Sequence, residues 1–162
     1  PNVTLDVAGK GEGLEALRAR ASDRIRIHGY LGADGLRSLL ARCDAGIVPM
    51  VAESCVGVPY KFGDSSAAGL ALLSSLGGES GELLARYGAG VSYETGDAAS
   101  FAAAIAELLP KLEEVKAGSR RMAEAEFDSR RIYDCLLYKT DATDEEDSVD
   151  LGGRRSIKKK RK

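Results

Sequence analysis

"AGIVPMVAESCVGVPYKFGDSSAAGLALLSS", residues 45 to 75, decides the fold. Its start, "AGIVPMV" (45 to 51), is a short apolar run of the kind that forms a buried strand, and Pro49 ends it because proline has no amide to offer a ladder. A long loop follows to Asp64. A helix from about Ser65 to Ala68 stops at Gly69, and "LALLSS" (70 to 75) reads as a second strand.

The same alternation extends in both directions. Upstream, "VTLDVAG" (3 to 9) and "RIRIHGYL" (24 to 31) read as strands, while "GLEALRARA" (13 to 21) and "DGLRSLLARC" (34 to 43) read as helices, the second capped by Asp34. Downstream, "ESGELLARYG" (79 to 88) is a helix closed by Gly88 and "AGVSYE" (89 to 94) is a strand. "DAASFAAAIAELLPKLEEVKAG" (97 to 118) is a helix capped by Asp97, and two further helical stretches, "SRRMAEAEF" and "DSRRIYDCLLYK", complete the folded part. Strand and helix alternating five times is the pattern of an α/β fold, a parallel sheet with helices on both faces followed by C-terminal helices. Such folds bind ligands at the carboxyl ends of their strands.

Composition narrows the function classes. The chain has 162 residues, 44% hydrophobic and 30% charged, enough for one domain with a real core. Its 23 basic and 25 acidic side chains leave a net charge of −2, so the body has no global field for nucleic acid or an anionic membrane. Three cysteines, Cys43, Cys55 and Cys135, have neither close pairing nor zinc-type spacing, which indicates unpaired thiols in a reducing, cytoplasmic setting. No run approaches the roughly 18 apolar residues of a membrane span. The chain opens at Pro1 and enters a strand pattern directly, so it is expected to begin partway through a larger protein.

From Thr140 the character changes. "TDATDEEDSVDLGG" is acidic, and "RRSIKKKRK" carries seven basic side chains in its nine residues. Neither half buries enough apolar area to offset its ordering entropy, so a domain over 1–139 is expected to precede a disordered tail over 140–162. The basic end is a candidate nucleic-acid, nuclear-import or anionic lipid-surface patch, with nucleic acid the less expected partner, or is simply a solvated charge block that partly neutralises the acidic run beside it.

Read in order, "VTLDVAGKGEGLEALRARA", "DRIRIHGYL", "LRSLLARCDAGIVPMVAES", "KFGDSSAAGLALLSSLGGESGELLARYGAGVSYETGD" and "SFAAAIAELL" resemble the carboxyl-terminal domain of a retaining glycosyltransferase with two Rossmann-like domains, one half of a GT-B fold. The resemblance covers about residues 2 to 138. It implies a nucleotide-diphosphate sugar as donor, no cofactor, no metal, and an acceptor domain upstream of Pro1, together with the basic pair that such enzymes use on the diphosphate. This chain is then an incomplete and inactive fragment. In the family a pair of carboxylates, written E-x7-E, grips the donor. Glu53 in "PMVAES" resembles the first, the catalytic carboxylate assigned to the sugar, and Asp64 stands where the second meets the ribose hydroxyls. A carboxylate suits that task because it accepts two hydroxyl donors at once. Lys61 is placed to meet diphosphate charge near the helix start, and Tyr30 and Leu31 in "GYL" match the loop that touches the base.

The match departs from the pattern at three points. Ten residues rather than seven separate Glu53 from Asp64, an aspartate replaces a glutamate, and Ala71 stands where the family has proline. The longer spacing with P-x-K before the carboxylate resembles a subgroup of these transferases. Without the resemblance, Lys61 and Asp64, three apart, read as a surface ion pair. His28, the only histidine, alternates with Ile25 and Ile27 and reads as a structural residue. "AGKGEG" (8 to 13) lacks the G-x-G-x-x-G spacing of a phosphate loop. Two other functions share this architecture: a non-catalytic Rossmann-like interaction module acting through its charged tail, and a fragment of a nucleotide-sugar epimerase.

Overall fold

A computed structural model describes residues 2–51, 54–128 and 130 of the chain. Five parallel strands alternate with helices: β1 (Leu5–Ala8), α1 (Leu14–Arg18), β2 (Ile25–Gly29), α2 (Ala33–Leu40), β3 (Ala45–Val48), α3 (Tyr60–Ala67), β4 (Ala71–Ser74), α4 (Gly78–Tyr87), β5 (Gly90–Ser92), α5 (Ala98–Leu108) and α6 (Leu112–Glu126). All belong to one compact unit, Pro1–Glu126. The expected α/β class with parallel strands and flanking helices is what the structure has.

The strands form two sheets. β3, β4 and β5 lie side by side in that order, with Ala45 opposite Ala71, Ile47 opposite Leu73, and Leu73 opposite Val91. Every residue of β4 is buried, as a central strand covered on both faces must be. Side chains alternate between faces. Ala71, Leu73 and Val91 point to one side, where Ala104 and Leu108 of α5 and Val115 of α6 close over them. The other side is reached by α3, whose Ser65 lies against Gly46: a Cβ there would stand 2.6 Å from the serine hydroxyl. Phe62, fully buried, anchors the same helix.

β1 and β2 pair in parallel, Leu5 with Ile25 and Val7 with Ile27, as a separate two-stranded sheet that is more exposed. On one of its faces His28 Nε2 lies 2.6 Å from Asp6 Oδ1, and Arg26 reaches the same carboxylate at 3.8 Å. That cross-strand contact fits the structural reading of His28.

Four local expectations need correction. α3 begins at Tyr60, five residues before the expected start, because Pro59 in extended backbone can precede a helix without the loss of a needed amide. Gly32, not Asp34, caps α2; Asp34 sits in the first turn and bonds Arg37. The helix expected over 97–118 breaks at Pro110 into α5, a 3-10 turn and α6, since proline cannot donate the next bond. α6 then runs through Gly118 as one helix. The Asp97 cap is present as expected: its carboxylate accepts from the Ala99 and Ser100 amides at 2.8 and 3.1 Å. Gly88 closes α4 in the left-handed conformation, φ 60°.

α6 carries a buried polar atom that its neighbours leave alone. Ser119 is fully buried, and its hydroxyl has no hydrogen-bond partner among the described residues. A hydroxyl removed from water without a partner costs about 1 to 3 kcal/mol. Ser119→Ala is therefore expected to raise the thermal midpoint by roughly 3 °C, about 1 kcal/mol of added stability. A lowered midpoint in calorimetry would mean that the hydroxyl has a partner, such as a buried water.

Candidate functional site

α3 carries the two charged residues singled out by the sequence, both inside the helix rather than ahead of it. Its buried positions are Phe62, Ser65 and Ser66, so Tyr60, Lys61 and Asp64 share the exposed face. Residues three apart on a helix are surface neighbours, with Cβ atoms roughly 5 to 6 Å apart. Even so, no ion pair joins Lys61 to Asp64 among the described residues. The local ion-pair reading thus lacks the contact that it needs. Among the described residues neither charge has an ion-pair partner.

The helix is held firmly under that face. Ser66 Oγ donates to the Gly63 carbonyl at 2.9 Å, and the Leu70 amide returns to Ser65 O at 3.0 Å around Gly69, whose φ is 72°. Arg120 of α6 packs beneath that glycine: a Cβ would stand 2.9 Å from its guanidinium. α3 connects parallel β3 to β4, so its amino end stands at the carboxyl edge of the sheet, where ligands of such folds bind.

The same edge carries a cleft of about 340 Å³. One wall is the 54–57 loop that leaves β3 and the other is the turn 75–79 that follows β4. Ser80 Oγ donates to Gly57 O and ties the walls together. Ser75 fixes the floor by accepting from the Met50 amide at 2.9 Å and donating to its carbonyl at 3.1 Å. Lys61, Asp64, Tyr30 and Leu31 do not line this cleft.

Tyr30 and Leu31 follow β2, at the same edge of the other sheet. The Tyr30 ring is 69% exposed, with Lys10 Nζ 5.2 Å from its centroid. Leu31 is half-buried, close to Gly35 at the start of α2. Glu53 lies outside the described residues, as do Cys135 and the tail over 140–162. The structure thus brings Lys61 and Asp64 together on one helix face and sets Tyr30 and Leu31 apart on another strand's exit.

Two features escaped the sequence reading. Tyr60, 95% exposed at the first helical position, shares the face of Lys61 and Asp64; the ring beside the lysine was the signal. The Gly77-Gly78 turn forms one cleft wall and needs a positive φ of 55° at Gly78, for which successive glycines after a buried strand were the signal. Cys43 and Cys55 form no disulfide. Burial pushes the Cys43 thiol up, with the Asp6 carboxylate adding to the effect, so it is no activated nucleophile. No helix among the described residues is long and apolar enough to cross a membrane.

Comparison with known proteins agrees with the fold. A family model described as "Glycosyl transferases group 1" matches residues 1–111. Among curated proteins none matches this chain. Several solved structures share its fold, two of them as follows. One is Anabaena Alr3699/HepE in complex with UDP-glucose, at 18% identity and a TM-score of 0.69, over 88% of this chain and 42% of that one. The other is the pneumococcal O-GlcNAc transferase GtfA in complex with UDP and GlcNAc, at 21% identity and a TM-score of 0.66, over 88% of this chain and 29% of that one. The chain therefore spans less than half the length of either.

Proposed function

The chain belongs to the group 1 glycosyl transferases, and from that premise we propose that it is the donor-binding part of an enzyme that moves a sugar from a nucleotide-diphosphate sugar to an acceptor hydroxyl, in polysaccharide or glycolipid synthesis. The observation that carries this reading is the exposed face of α3, the helix that follows β3, where Lys61 stands in the first turn and Asp64 one turn further on, with no ion pair to either among the described residues. Lys61 meets the diphosphate, because a flexible ammonium is a mobile point charge for phosphate oxygens. Asp64 accepts from the ribose hydroxyls. Tyr30 and Leu31 contact the base. Glu53 takes the sugar, a role that rests on its place in the motif alone.

The chemistry follows from the charges. As the bond from the anomeric carbon to the diphosphate breaks, negative charge gathers on the leaving group, and cations already in place lower that barrier. An acceptor hydroxyl must also be held close to the anomeric carbon, which this reading assigns to a separate amino-terminal domain. The domain over 1–139 alone then binds nucleotide without completing transfer. The 140–162 tail, with its basic end, is the segment available for peripheral membrane contact.

Uridine is the favoured base, since both structural neighbours were solved with UDP or a UDP-sugar. Calorimetric titration separates the readings. We expect saturable 1:1 binding of uridine diphosphate, with guanosine diphosphate binding at least tenfold more weakly. An interaction module predicts no saturable heat with either nucleotide, and that result would end the donor-site reading.

A further inference from the structure

"AGKGEG", residues 8 to 13, is a sequence motif that the donor-site reading leaves unused, and in the structure it delivers a cation to the exit of the neighbouring strand. β1 and β2 run in parallel, so the segments that leave them stand at the same edge, and the Gly9 amide donates to the Gly29 carbonyl at 2.7 Å across the pair. Both exits are pinned at that bond. Lys10 follows on one side and Tyr30 on the other, and Lys10 Nζ lies 5.2 Å from the centroid of the Tyr30 ring. Gly29 is buried with a φ of 70°, a conformation that favours glycine, and Tyr30 beyond it is 69% exposed.

The pair is open to a ligand. Lys10 has no ion-pair partner among the described residues. Arg18, whose guanidinium would stand 3.8 Å from a Cβ at Gly29, is engaged by Glu15 at 2.7 Å, which leaves Lys10 as the unengaged cation of the two. A Cβ built at Gly9 or at Gly11 would meet nothing within 4 Å, so there is open space on both sides of Lys10. A cation over an exposed ring is also a weak contact, readily exchanged for an oxygen acceptor.

We propose that Lys10 selects the base of the donor by the exocyclic group at its C4 position, taking a carbonyl there, as uracil has, and rejecting an amino group, as cytosine has. The inference rests on the donor-site reading, in which Tyr30 contacts the base, and adds the residue that chooses between nucleotides. An exposed tyrosine ring stacks any base by its face, and such stacking tolerates every sequence. Discrimination therefore needs a polar group at the rim. The Lys10 ammonium, on its flexible stem, moves from the ring to the edge of the stacked base, where it has three donors to offer and no acceptor. The uracil O4 accepts from it. The cytosine N4 amino group is itself a donor, so the same approach sets donor against donor and leaves the ammonium without its bond. Uracil and cytosine have the same ring size, so pocket volume does not separate them.

Calorimetric titration of the 162-residue chain with uridine and cytidine diphosphates tests the proposal. Uridine diphosphate should bind about tenfold more tightly, the effect of one hydrogen bond from a charged donor at an exposed site. Lys10→Met should weaken uridine diphosphate alone and bring the two constants within twofold of each other, while Lys10→Arg, which keeps the donors, should retain the preference. Equal affinities in the parent chain, or a preference that survives in Lys10→Met, would overturn the proposal and leave the donor site standing. Both nucleotides weakened by the same factor in Lys10→Met would overturn it too, since the lysine would then meet the diphosphate that they share. No saturable heat with either nucleotide would end the donor-site reading and this inference with it.

Discussion

Gly118→Ala lowers stability by about 3 kcal/mol, the upper part of the range for overpacking a filled site, and moves the thermal midpoint down by roughly 10 °C. The sign is what makes the result informative. In an exposed helix interior the same change stabilises by about 1 kcal/mol, because alanine is the better helix former. Gly118 lies midway along α6, buried, where that helix crosses the end of α4. A Cβ would overlap the carbonyl oxygens of Tyr87 and Gly88 and stand 2.8 Å from the Gly88 carbonyl carbon. Neither obstacle is a side chain that can turn aside. α4 is held at that end by the Gly88 turn and by Tyr87, whose hydroxyl donates to Glu126 Oε1 at 2.6 Å. Relief must come from moving a whole helix. Thermal denaturation followed by circular dichroism reads the change, and a midpoint equal to or above that of the parent would show that α4 and α6 do not cross so closely.

Asp64→Asn weakens uridine diphosphate binding ten- to a hundredfold while leaving the fold intact. The substitution keeps shape and removes charge. Asp64 is exposed on α3 and holds no ion pair among the described residues, so stability should change by less than about 0.5 kcal/mol. A hydrogen bond to a charged acceptor contributes on the order of 1.5 to 3 kcal/mol, which converts to that range of affinity. An unchanged dissociation constant in a protein of unchanged midpoint would remove Asp64 from the site. Loss of binding together with a collapsed midpoint would instead mark it as structural.

Much of this fold is legible because its signals are local. Buried strands such as "LALLSS" announce themselves by unbroken apolar runs, and Gly88 and Asp97 mark a helix end and a helix start by properties of single residues. The errors arise where a distant partner decides. Gly118 reads as a helix breaker until the carbonyls of α4 are known to lie against it. The start of α3 is hidden because "PYKFGD" has weak helix formers, and it is Phe62, buried in the core, that draws those residues into the helix. The split into two sheets is invisible in any window of sequence, since each strand reads alike whether or not its neighbour is in place. At the site, the sequence marked Lys61 and Asp64 by charge beside small residues, but could not say whether they bond each other. It missed Tyr60, whose ring looks like core until the helix turns it outward.

The most direct test of the central claim is to add uridine diphosphate stepwise to the isotope-labelled chain and follow the backbone amide shifts. A donor site at the carboxyl edge predicts that Lys61, Asp64, Tyr30 and Leu31 shift together and saturate with one dissociation constant, while the amides of α6 on the far side of α3 stay in place. Shifts confined to residues outside this group, or shifts that grow linearly without saturating, would contradict it.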